Sequence, residues 1–82
     1  MYLLVNTFLG GPEDRGQILS RHRTAGAAFR AQARQQRAVK RANGAGAWLP
    51  MIVLDVARGQ IPRHAQWVPM GVGIQPAYGD DI

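Results

Sequence analysis

Residues 24 to 44, TAGAAFRAQARQQRAVKRANG, are the stretch that most restricts what this chain can become, because they read as one amphipathic helix. At about 100° per residue, Ala25, Ala28, Phe29, Ala33 and Val39 gather on one arc together with Gln32 and Gln36. Arg30, Arg34, Arg37 and Arg41 fall on another arc, roughly 60° wide, as a continuous basic stripe. The helix therefore has a packing face and a charged face. Thr24 suits the N-cap, since its hydroxyl accepts from a free amide of the first turn, and Asn43-Gly44 suits the stop, since glycine tolerates positive φ. A start at Ser20 would instead place Arg21, His22 and Arg23 in the first turn, against the positive end of the helix dipole. Gly26 lies near the first turn, where its cost of up to about 1 kcal/mol relative to alanine is reduced.

The remaining apolar segments are too short, and too rich in β-formers and Gly or Pro punctuation, to be helices. YLLVNTFL, residues 2–9, reads as a strand apolar on both faces. GGPEDRG, residues 10–16, is a turn. QILSRHR follows as a second strand, whose alternation sends Ile18, Ser20 and His22 one way and Gln17, Leu19, Arg21 and Arg23 the other. After the joint Gly44-Ala45-Gly46-Ala47, WLPMIVLDV reads as a third strand with Trp48, Ile52, Leu54 and Val56 as core candidates, its first half pushed to an edge or bulge by Pro50. WVPMGVGI is a weaker fourth strand candidate, broken by Pro69, Gly71 and Gly73.

The order β-β-α-β, with that possible fourth strand, implies an α+β, two-layer fold in which one amphipathic helix covers a small, mostly antiparallel sheet. Residues 1–74 form the single domain and residues 75–82 an acidic C-terminal tail. In a chain of 82 residues with a dozen alanines the core is modest. One helix covers one sheet face, so the apolar residues of strands one and three need another cover, which a second copy would supply. A homodimer is the expectation.

Several functions are disfavoured by what the chain lacks. Without cysteine there is no disulfide or thiolate metal site, which fits a cytoplasmic protein. No apolar run reaches membrane-spanning length, and the apolar start has neither a basic flank nor a small-residue cleavage motif, so no membrane role is expected. His22 and His64, the two histidines, each adjoin arginine, which opposes an imidazolium and a bound cation alike. Ser20 and His22 share a strand face, yet no carboxylate is placed to orient the ring, so a hydrogen bond explains the pair better than catalysis. Glu13-Asp14 falls in a turn and Asp80-Asp81 at the terminus, and neither glycine-rich segment matches a phosphate-binding loop. No catalytic residue, metal site or cofactor is assigned, and the chain is expected not to be an enzyme.

Charge is the strongest functional signal. Between Arg15 and Leu54 there are eight basic residues and no acid. Such a field favours a partner of opposite sign: the acidic protein surface of a nucleoprotein complex, or nucleic-acid phosphates. The residues expected to carry the contact are Arg21, Arg23, Arg30, Arg34, Arg37, Arg41 and Trp67. The competing explanation is a solvated face that keeps the helix soluble, but no Glu or Asp lies four residues from any stripe arginine to neutralise it.

Read in order, the opening strand, GQILSRHRT, the arginine-rich helix and RANGAGAWLP give a layout that, over residues 2–56, resembles small proteins of phages and mobile elements in GC-rich bacteria, and in size is similar to the anti-CRISPR proteins. The resemblance is one of size and layout and rests on no diagnostic motif. It implies stoichiometric inhibition of a nucleic-acid-handling complex of the CRISPR-Cas type. Many anti-CRISPR proteins are acidic DNA mimics. This chain is basic, so docking on an acidic surface replaces mimicry as the implied mode.

Overall fold

The computed structural model describes residues 1–7, 15–57, 59–69 and 74–77. Five strands, β1 (Tyr2–Asn6), β2 (Arg15–His22), β3 (Met51–Asp55), β4 (Trp67–Pro69) and β5 (Gln75–Pro76), form one antiparallel sheet in the order β4-β2-β1-β3-β5. The helix α1 (Ala25–Asn43) packs across β1, β2 and β3. The fold is thus the small two-layer α+β unit expected, with one more strand than anticipated. Phe8 and Leu9 of the first strand, the turn at residues 10–14 and the acids Asp80 and Asp81 lie outside the described residues. Gln75 and Pro76, assigned from composition to the tail, pair with Asp55 and Leu54, and the Ala77 amide donates to the Val53 carbonyl at 2.8 Å.

Strand β1 takes the centre because both of its faces are apolar. Leu3 and Val5 join Leu54, Val56, Ile61, Val68 and Ile74 on one side of the sheet. Leu4 joins Met51, Val53, Ala28 and Ala31 on the helix side. The face expected to require a second copy is therefore filled from within the chain: Ile61, Val68 and Ile74 close over Leu3, which is fully buried. Among the described residues, the sheet face from which a homodimer was expected is thus covered by the chain's own side chains. Ile61 lies in a segment with no periodicity, ARGQIPRHA, and only the return of the chain onto β2 brings it inward.

Both helix ends are capped as the sequence implies. The Thr24 hydroxyl accepts from the Ala27 amide at 3.2 Å. Gly44 adopts φ +104°, and its N–H donates to the Lys40 carbonyl at 2.9 Å. The packing face is built of small residues, Ala25, Gly26, Ala28 and Ala31, all buried, which lets the helix axis approach the sheet. Ala33, expected on that face, is exposed, because the contact surface is centred nearer Ala28 and turns toward Ala31. Gln32 and Gln36 do lie on the packing arc. Gln32 donates through Nε2 to the Met51 carbonyl at 3.1 Å, and Gln36 grips Leu49 twice, donating to its carbonyl at 2.6 Å and accepting from its amide at 3.1 Å. A primary amide thus pairs with the backbone of Leu49 much as a neighbouring strand would, just before Pro50 and β3.

One irregularity decides where the polar residues of β2 go. Leu4 pairs with Ser20 but Val5 with Ile18, so Leu19 is an extra residue in β2, a β-bulge. The strict alternation expected for QILSRHR is broken there. Ile18 packs on the side away from the helix, whereas Leu19 packs on the helix side. Ser20, opposite Leu4, and His22, opposite Tyr2, keep the helix side, and Arg21, opposite Leu3, takes the other. Among the described residues no helix is long and apolar enough to cross a membrane.

Candidate functional site

The basic stripe exists as a surface. Arg30, Arg34, Arg37 and Arg41 are all exposed on the outer side of α1, and Arg23 is exposed just before the N-cap. At 1.5 Å rise per residue the four helix arginines extend over roughly 16 Å of axis. Asp55 is the one acid among the described residues, and no ion pair joins it to these arginines. Among the described residues no acid compensates the stripe, and each of its guanidinium groups offers planar, bidentate donors to carboxylate or phosphate. Part of it has a local role: Lys40 and Arg41 sit in the last helical turn, where a cation offsets the negative end of the dipole. Arg30, Arg34 and Arg37 have no such role.

Arg21 does not belong to that surface. The bulge turns it to the far side of the sheet, where its guanidinium is half-buried and holds the segment leading into β4. Nη2 donates to the Ala65 carbonyl at 2.8 Å, and both terminal nitrogens lie 3.4 Å from the Pro62 carbonyl. The sequence could not separate it from Arg23, because its partners are more than 40 residues away.

His22 faces the helix. Its Nε2 is 2.7 Å from the Ser20 hydroxyl, the contact expected from their spacing. Its pKa is lowered, first by desolvation on burial and second by the charge of Arg34. The ring and the hydroxyl form a hydrogen-bonded pair, and among the described residues no carboxylate hydrogen-bonds to the imidazole. Among the described residues no group of three or more His, Cys, Asp or Glu is placed to hold a metal ion.

The two tryptophans sit differently in the fold, and it is Trp48 that departs from the expectation. Trp67, the anticipated contact residue, begins the outermost strand β4 beside Gln17 and is half-buried, while its neighbour Val68 enters the core. Trp48, anticipated in the core, precedes β3 instead of opening it and is 68% exposed, the one large apolar side chain so placed among the described residues. The signal was present in the sequence: Pro50 and the Gly-Ala-Gly-Ala joint both argue against a ladder at Trp48. Its position follows from the contacts on either side. The Gly44 carbonyl accepts from Ala47, and Gln36 grips Leu49, so Trp48 lies in the short link that these bonds tie to the C-terminal half of α1. An exposed indole thus lies beside the C-terminal end of the basic helix. In comparisons with known proteins, no family model, no curated protein and no solved structure matches the chain.

Proposed function

We propose that the protein is a non-enzymatic binding protein, of the kind carried by phages and mobile elements, that docks stoichiometrically on an acidic surface of a cytoplasmic nucleic-acid-handling complex through the outer face of α1. The observation that carries this reading is the exposure of Arg30, Arg34 and Arg37 on one helix face without a compensating acid among the described residues. A stripe of like charges side by side is mutually repulsive, and an acidic partner relieves that repulsion while steering encounter. Inhibition of a CRISPR-Cas type complex is the specific form that the resemblance in size and layout implies.

A second reading, direct contact with nucleic-acid phosphates, is favoured by Trp48, since an exposed indole beside a basic groove or ridge is a stacking platform for unpaired bases. Binding of the wild type and of the R34E/R37E variant is to be measured against duplex and single-stranded oligonucleotides and against a purified surveillance complex. Phosphate contact by all four stripe arginines gives a log K against log salt slope of roughly −3.6 on duplex DNA. Docking on protein gives binding to the complex with no oligonucleotide binding in the same salt range. Equal binding by the variant in both arms would remove the stripe from the function altogether.

A further inference from the structure

We propose that the groove at the end of the sheet, where β2 runs into α1, is a binding site for a phosphate ester. The groove is open to solvent, with a volume of about 910 Å³, and its walls include Arg21, His22, Arg23, Ile61, Pro62 and Arg63, with no acid among its lining residues. Three arginines line it, Arg21 and Arg23 from the strand end and Arg63 from the segment after β3, which the sequence sets some 40 residues apart, whereas none of Arg30, Arg34, Arg37 and Arg41 is among its lining residues.

Arg21 is the built part of the site. Its clasp on the Pro62 and Ala65 carbonyls fixes the guanidinium in place and, by the same bonds, positions the backbone that carries Arg63. Those bonds occupy Nη1 once and Nη2 twice. Of the five N–H donors of an arginine, the Nε–H and one Nη1–H are left over. Arg23 and Arg63 are both exposed and make no ion pair with a described residue. Met1 also lines the groove, its main-chain nitrogen donating to the Val56 carbonyl at 3.2 Å.

The number and shape of the donors choose the ligand. A carboxylate has two oxygens and satisfies one guanidinium fork, whereas a phosphate monoester presents three terminal oxygens and can serve all three arginines at once. The volume exceeds what an inorganic ion fills and lies in the range of small-molecule sites. Met1 and Pro62, with the edge of Ile61, are the apolar lining residues against which the organic body of an ester can rest.

The test is calorimetric titration of the full chain with phenyl phosphate, inorganic phosphate and phenylacetate. Saturable one-to-one binding of phenyl phosphate is expected, tighter than either control. R63A and R23A, which alter exposed side chains that make no ion pair with a described residue, should each weaken it by about tenfold or more, as loss of a charge-assisted bond implies. R37A/R41A, on the stripe, should leave it unchanged, so that failure of the groove and failure of the docking face are distinguishable. The proposal is overturned by absence of saturation, by phenylacetate binding as tightly as phenyl phosphate, or by undiminished affinity in both R63A and R23A.

Discussion

Replacing Gln36 by alanine examines the link between the helix and the approach to β3, on which the placement of Trp48 depends. The side chain makes two hydrogen bonds to one residue, at 2.6 Å to the Leu49 carbonyl and 3.1 Å to the Leu49 amide. Both are partly buried, so truncation leaves a donor and an acceptor that water reaches incompletely. At about 1 kcal/mol for a typical bond, and somewhat more when the orphaned group is desolvated, the loss is about 2–3 kcal/mol. For a domain of this size that corresponds to a fall in Tm of about 10–20 °C. Urea unfolding followed by far-UV circular dichroism measures the first quantity, and a thermal scan the second. Q35A, one residue along on the exposed side of the helix, serves as the reference for helix propensity and should shift stability by less than about 0.5 kcal/mol. Because Leu49 is released, Trp48 gains freedom, and time-resolved fluorescence anisotropy in a W67F background should report faster indole motion in Q36A. A loss under about 0.5 kcal/mol with unchanged anisotropy would show that Gln36 does not hold this segment and that Trp48 is not fixed beside the helix.

Two further consequences concern the polar residues that the bulge distributes. The His22 pKa is lowered in the folded protein, so below its ordinary value near 6.5 the unfolded chain binds a proton that the folded chain resists. Stability should fall as pH drops from about 6.5 through the folded pKa and level off beneath it; H22N should flatten this dependence, and R34A should raise the His22 pKa in an NMR titration, since one of the two causes is removed. Arg21→Ala should destabilise by about 1–3 kcal/mol through the lost bonds to Pro62 and Ala65, with amide exchange rising first in residues 61–66, whereas Arg23→Ala should leave stability within about 0.5 kcal/mol of the wild type.

The helix was legible because its determinants are local. Thr24, Gly44 and the spacing of the arginines each act within one or two turns, and the structure places all of them as the sequence implies. The two-layer α+β architecture was legible for a related reason, since alternating apolar segments flanking one amphipathic helix have few ways to bury themselves. The assignment of Gln32 and Gln36 to the packing face was also correct, although their partners, Met51 and Leu49, could not be read from spacing.

What depended on contacts between distant segments could not be read in this way. The bulge at Leu19 shifts the phase of β2, and a phase shift of one residue reverses every side chain beyond it. That single event sends Arg21 to the groove and turns His22 toward Arg34. The burial of Ile61 and the exposure of Trp48 likewise follow from where the chain folds back, against hydropathy that would place the indole inside. The sequence by itself determined the helix, its caps, its basic outer face and the class of fold, because these rest on periodicity and on the chemistry of neighbouring residues. The tertiary structure alone decided which arginines share a surface, which aromatic side chain faces solvent and what covers the second face of the sheet, because each of these depends on register and chain reversal, which couple residues tens of positions apart.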